Sequence, residues 1–398
     1  MTRTHPLPSE RDSRAVAVWL LAMCALVALM IVVGGATRLT DSGLSIVEWR
    51  PVTGAVPPLS QADWVAEFEK YKTIPEYHQV NLGMTLDEFK TIYWWEWGHR
   101  FLGRIIGLAF LIPFIVFAAT RRLSRALGVK LFAVFMLGGL QGALGWWMVS
   151  SGLTERVDVS QYRLAAHLGL AVLLFAAMAW IALDLIEARR RAVQKGGGHR
   201  LAPFAVALAI GVYGQIILGA FVAGLRAGRV YNTWPLMEGR FIPEDYFSGA
   251  PRLADVFETA AAAQFNHRLA AYALFAAAAA FLFVARKTAL APRAGLLFFA
   301  VLMQGALGVW TVIAATPLAL GLAHQAMAIL VLSAALYLAH GSMRSIEITR
   351  SSAGLPAGAR GSMAPERGKD KAPNTPFHGT SLMGAASPDA TTASAPSR

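Results

Sequence analysis

Residues 294–343 read AGLLFFAVLMQGALGVWTVIAATPLALGLAHQAMAILVLSAALYLAHGSM, 50 positions without one Asp, Glu, Lys or Arg. As a single helix rising about 1.5 Å per residue, this stretch would extend ~75 Å, more than twice a bilayer core of ~30 Å. It must hold two spans. Thr316-Pro317 is the natural break, since proline cannot continue a helix and disfavours helical geometry in the residue before it.

Working outward, uncharged stretches also run over 15–37, 105–120, 131–154, 164–183, 201–225 and 269–285. With the divided one, they predict an all-α integral membrane protein with eight transmembrane helices. Composition agrees: 56% of residues are hydrophobic and 15% charged, where a soluble domain carries about 25% charged. The first stretch has a longer apolar core than the roughly 7–15 residues of a signal peptide and no convincing cleavage site, so it reads as a retained helix. Cys24 is the only cysteine. That excludes an intrachain disulfide and any zinc or iron–sulfur site built on cysteines of this chain.

A net charge of +12 fits nucleic-acid binding or a membrane protein with Lys and Arg gathered on the cytoplasmic side. Position decides. The links 121–130 and 286–293 hold Arg and Lys and no acid, and link 184–200 holds five basic residues against Asp184 and Glu187. Segment 38–98 has five Lys/Arg against nine Asp/Glu, and 226–258 has four against five. Both termini are therefore expected in the cytoplasm, with the two long loops outside. Lipid is a partner and nucleic acid is not. From about 345 the chain is rich in Ala, Ser, Pro, Gly and Thr, and it is expected to be disordered.

The two halves of the chain resemble one another. Gln141-Gly-Ala-Leu-Gly145 recurs as Gln304-Gly-Ala-Leu-Gly308, with Trp146 and Trp310 after them. Glu96-Trp-Gly-His-Arg100 recurs as Gln264-Phe-Asn-His-Arg268, His167 pairs with His324, and Trp49-Arg-Pro51 resembles Trp234-Pro235. Each half has four helices, so both keep the same orientation, as in a parallel repeat of two pseudo-symmetric four-helix bundles. The expected divisions are a cytoplasmic N-terminus over 1–14, an N-terminal bundle over 15–187, a cytoplasmic linker over 188–200, a C-terminal bundle over 201–341 and a tail over 342–398.

His99, His167, His267 and His324 fall on the second, fourth, sixth and eighth spans, all running inward, each in the first turns of its helix. They should share one depth near the outer face. An isolated membrane histidine is often a hydrogen-bonded core residue. Four matched across a repeat point to ligation instead. Haem iron takes two axial ligands from opposite faces, and two histidines per bundle meet that need, whereas zinc usually recruits a third protein ligand. Gly103, Gly169 and Gly321 near these histidines suit a flat macrocycle or simply close helix packing. Arg100 and Arg268 could hold haem propionates or snorkel to lipid phosphate.

The halves differ at one place. Glu96 precedes His99 by one turn, and Gln264 stands at the matching position before His267. A carboxylate beside a bound macrocycle can act as a base or stabilise a developing cation, or can simply pair with Arg100 at i+4. On this asymmetry the N-terminal half is read as reactive and the C-terminal half as holding a fixed cofactor. The aromatic residues of 38–98, among them Trp49, Trp64, Tyr71, Tyr77, Tyr93, Trp94, Trp95 and Trp97, fit an interfacial belt or a lid over a large apolar ligand.

Val33-Gly-Gly-Ala-Thr-Arg-Leu-Thr-Asp-Ser-Gly-Leu-Ser45, Trp49-Arg-Pro51, Glu96-x-x-His-Arg100, the two Gln-Gly-Ala-Leu-Gly segments and His267-Arg268 together resemble the haem A synthase family, over roughly residues 15–341. The absent loop cysteine pair resembles the proteobacterial and mitochondrial branch, which implies a bacterial inner membrane. The resemblance implies a membrane oxidoreductase that converts haem O to haem A, turning the C8 methyl group into a formyl group by successive hydroxylations, for cytochrome oxidase. It implies that His99 and His167, with Arg100, hold the substrate haem. His267 and His324, with Arg268, hold a permanent haem b and its iron, and Glu96 is the catalytic carboxylate. Haem O synthase, cytochrome oxidase assembly factors and an electron partner of unknown identity are its implied partners. Two other functions stay open on the residues alone: a dihaem, quinol-oxidising electron carrier that modifies nothing, and a transporter whose histidines line a proton or ion path.

Overall fold

The computed structural model describes residues 10–154, 156–187, 198–247 and 255–353. Its helices are α1 (Glu10–Leu39), α2 (Gln61–Tyr71), α3 (Pro75–Gln79), α4 (Leu86–Ala119), α5 (Arg125–Val149), α6 (Gln161–Glu187), α7 (Ala202–Gly224), α8 (Asp255–Glu258), α9 (Ala260–Ala285), α10 (Ala291–Ile313) and α11 (Leu318–Ala353). Among the described residues, eight (α1, α4, α5, α6, α7, α9, α10 and α11) are long and apolar enough to cross a membrane, the number expected. The break in 294–343 also falls where proline put it. Ala315 and Thr316 take left-handed backbone angles, φ 58° and 57°, between α10 and α11. That region strains a β-branched residue. Thr316 is held there by its N–H on Thr311 O (2.8 Å) and its hydroxyl on Gly228 O (2.9 Å).

Two boundaries differ from the sequence reading. Thr85 and Glu88 cap α4 reciprocally, so the helix starts at Leu86 and carries the aromatic segment 93–97 into the span. His99 therefore lies more than three turns inside its helix rather than in the first turns. His167, His267 and His324 do lie within about two turns of the starts of α6, α9 and α11. At the other end, α11 continues past 341 to Ala353, so helical backbone occupies the start of the segment expected to be disordered. The rest of the tail and residues 188–197 of the expected linker lie outside the described residues.

In lipid, helices gain little from burying apolar surface against one another, so close packing and polar contacts must join them. α1 packs on α4 and α6, α5 on α4 and α6, α6 on α7, and α9 on α7 and α10. The first span also meets the last: Gln325 donates to Ile31 O (2.9 Å) and lies against Gly35, where no side chain would fit. Charged groups latch the two sets of four spans at both ends. At the end carrying loops 40–85 and 226–247, the Asp158 carboxylate accepts from Arg38 (2.8 Å) and Arg226 (2.8 Å), and Arg226 also pairs with Asp41 (3.0 Å). Arg38 further donates to the carbonyls of Ala223 and Gly224 at the end of α7. At the opposite end, Arg293 pairs with Glu187 (2.7 Å), and buried His340 contacts Asp184 (2.9 Å).

Loop 40–85 packs a small core against the start of α4, in which Phe68 and Tyr71 are buried with Phe89 and Tyr93. Trp94 and Trp95 stay exposed. Glu76 on α3 is also buried, 4% exposed, with its Oε2 unpartnered. Burial pushes its carboxyl up to about 8, helped by the negative charges of Glu96, Asp41 and Asp158 and opposed by Arg226. An acid whose folded-state value is raised stabilises the fold below its unfolded value and loses that contribution as pH rises. Stability should therefore decline between about pH 4.5 and 8, by up to ~1.4 kcal/mol per pH unit from this group. Thermal unfolding in detergent across that range should show the decline in the wild type and its loss in Glu76→Gln. An equal slope in both proteins would remove Glu76 as the cause.

Candidate functional site

Each of the four histidines packs its ring edge on a glycine of the preceding span. A Cβ on Gly34 would stand 2.8 Å from His99 Cε1, on Gly145 3.0 Å from His167 Cε1, on Gly219 3.3 Å from His267 Cε1 and on Gly308 2.8 Å from His324 Cε1. These are not the glycines singled out in the sequence. Gly169 accommodates Tyr213 and Ile217, Gly321 accommodates Leu39, and Gly103 meets only the Met30 methyl. The first two serve ordinary helix packing. The steric difference predicts a graded result. Gly308→Ala should cost more bound haem than Gly219→Ala, read as the haem-to-protein ratio of purified protein; equal losses would refute the contact.

One turn before the glycine, three of the four spans carry a glutamine. Gln141 Nε2 donates to His167 O (2.9 Å) and lies 3.2 Å from its Nδ1. Gln215 does the same at His267, at 2.9 and 3.1 Å. Gln304 donates to His324 O (3.0 Å) and lies 3.4 Å from its Nε2. The Oε1 of each of these amides is buried without a partner, and so are the Nδ1 atoms of His99 and His324.

The rings of His267 and His324 stand 6.4 Å apart, centre to centre, with their planes 75° apart. Two imidazoles bound end-on to one metal ion from opposite sides, each bond about 2 Å and each ring centre about 1 Å further back, would lie about 6 Å apart. The glycine-backed rings and the orphaned amide and imidazole atoms suit ligation in both halves, and the spacing of His267 and His324 suits one metal ion held between them.

Glu96 is 3% exposed. Its Oε1 accepts from Arg100 Nη2 (2.6 Å) and Nε (3.1 Å), and its Oε2 from Ser45 Oγ (2.8 Å) and Ile46 N (2.8 Å). Four donors and no acceptor surround it, the set an ionised carboxylate takes. Arg100 also donates to the carbonyls of Ile46 (2.7 Å) and Glu48 (2.9 Å). The C-terminal counterpart has the same layout with opposite polarity. Gln264 donates to the carbonyls of Ala227 and Tyr231 (both 3.1 Å) and accepts from Arg268 (3.2 Å), which also donates to Tyr231 O and Thr233 O. The loop presents N–H and O–H groups at position 96 and carbonyls at 264. A carboxylate suits the first and an amide suits the second. Both arginines thus anchor loops through contacts that the sequence did not indicate.

Residues 17–336 match the sequence profile of the cytochrome oxidase assembly protein family. The heme A synthase of Parvibaculum lavamentivorans is 54% identical over 332 residues, covering 83% of this chain and 95% of that protein. The chain belongs to the haem A synthase family. The heme A synthases of Nitrosospira multiformis and Maricaulis maris are 48% and 49% identical, each over 347 residues, covering 85% and 86% of this chain and 98% and 100% of their own. Within this haem A synthase chain, the missed positions are the glutamines. Gln141 and Gln304 stood inside a quoted repeat with no role attached. Gln215-Ile-Ile-Leu-Gly219 keeps the first, fourth and fifth residues of the pattern and replaces its central Gly-Ala with Ile-Ile. The usable signal was Gln-x-x-x-Gly, which puts both residues on one helix face.

Proposed function

We propose that this multi-pass membrane protein is a haem A synthase working with two histidine-ligated haems. It is an oxidoreductase that acts on haem O and yields haem A. His99 and His167 would hold the substrate, and His267 and His324 would hold a permanent haem b. The 6.4 Å ring spacing of the second pair carries the ligand assignment, and membership of the family carries the reaction. When bound, haem b supplies one-electron transfer. The two halves are a parallel repeat in an inner membrane, with both termini in the cytoplasm.

Glu96 is the residue that acts on the substrate. Both its oxygens are already hydrogen-bonded, which favours a fixed negative charge over a mobile base. It stabilises positive charge developing on the substrate as electrons leave it. Arg100, Ser45 and the Ile46 amide keep that charge in place. Arg100 and Arg268 hold propionates through the N–H groups left over from their loop contacts. Trp49 stacks edge-on against Trp146 at 5.2 Å, beside the Gly145 that backs His167, and closes the loop side of the substrate site. Extraction of pigments from purified protein tests the reading. Haem b together with haem O, a hydroxylated haem or haem A is expected. Haem b alone would indicate an electron carrier, and colourless protein would end the reading altogether.

A further inference from the structure

The glutamine pattern breaks at one histidine. Four residues before Gly34, in the register of Gln141, Gln215 and Gln304, stands Met30, whose methyl lies 3.5 Å from a Cβ placed on Gly103, one turn beyond His99. We propose that Met30 leaves His99 as the ligand that lets go, so that the substrate haem is taken up and released over the His99 face while His167 keeps its grip. This rests on the assignment of the substrate to the first histidine pair.

A ligating imidazole is oriented by the groups around it, and losing such an outer group typically weakens metal binding about 10–100-fold. Gln141, Gln215 and Gln304 each clamp the main chain of their histidine at 2.9–3.0 Å and place an amide against its ring. A thioether has no N–H to donate, accepts only weakly and adapts its shape readily. The Nδ1 of His99 is buried without a partner, as is that of His324, so what sets His99 apart is the missing amide. A resident cofactor has no need to leave, but a substrate must enter and its product must exit in every cycle. The one missing amide falls in the half that must exchange.

The test uses full-length protein purified in detergent with its haems, incubated with excess apomyoglobin as a haem acceptor. Pigments left on the protein are identified by chromatography over time. The substrate-type haem should leave faster than haem b. Met30→Gln should slow that release about 10–100-fold and lower the high-spin ferric signal in electron paramagnetic resonance, since a firmly held sixth ligand keeps iron low-spin. In the reverse direction, Gln304→Met should speed haem b loss, which keeps the idea testable if Met30→Gln folds poorly. Unchanged release in Met30→Gln with an intact haem b spectrum, or haem b loss unaffected by Gln304→Met, would overturn the proposal. Retention of substrate-type haem in a His99→Ala, His167→Ala double variant would instead overturn the ligand assignment beneath it.

Discussion

Replacing His267 with alanine is expected to strip haem b from the protein and to stop haem A formation while leaving the chain folded. The ring of His267 lies 6.4 Å from that of His324, centre to centre. One axial ligand cannot replace two, so retention of haem b should fall to near background in the haem-to-protein ratio, and haem O should remain unconverted. The change removes a ring resting on Gly219 and leaves a cavity, which free imidazole can fill. Imidazole added during expression should restore part of the haem b spectrum. A His267→Ala protein that retains a normal, low-spin haem b would place the cofactor elsewhere.

The second large effect is expected at Glu96. Glu96→Gln keeps the size of the side chain and removes its charge. Conversion of haem O should fall about 100- to 1,000-fold, the usual cost of losing one preorganised electrostatic contact to a transition state. Haem O or a hydroxylated intermediate should accumulate on the protein, with haem b unaffected. Glu96 also anchors Ser45, Ile46 and Arg100, so a purely structural role makes a different forecast. In that case Glu96→Gln would lower thermal stability and substrate retention together. Normal haem A output from the variant would exclude Glu96 from the chemistry.

Much of this was legible in the sequence because a bilayer imposes strong rules. The 50-residue uncharged stretch could only be two spans, and proline at 317 could only lie between them. The four histidines were legible because ionisable groups are costly in lipid and these recur in matching contexts. What lay hidden depended on which loop atoms face a side chain. Nothing in Glu96-x-x-x-Arg100 says that Ser45 and the Ile46 amide donate to the carboxylate, or that carbonyls of Ala227 and Tyr231 await Gln264. The helix start at Leu86 was missed because polar and aromatic residues over 86–97 masked a capped extension beyond the apolar stretch. Gln215 was harder to read because Ile216-Ile217 replaces the central Gly-Ala of its motif, leaving three of five residues in common.

The latches at either end of the molecule, Arg38 and Arg226 on Asp158, and Arg293 on Glu187, have a consequence for assembly. Together with the α6–α7 and α1–α11 contacts, they predict that the two sets of four spans associate even when the chain is divided between residues 187 and 198. Two separately encoded polypeptides, divided there, should find each other in the membrane and purify as one coloured complex. A gene fusion joining two ancestral four-span proteins would have inherited its docking surface ready-made.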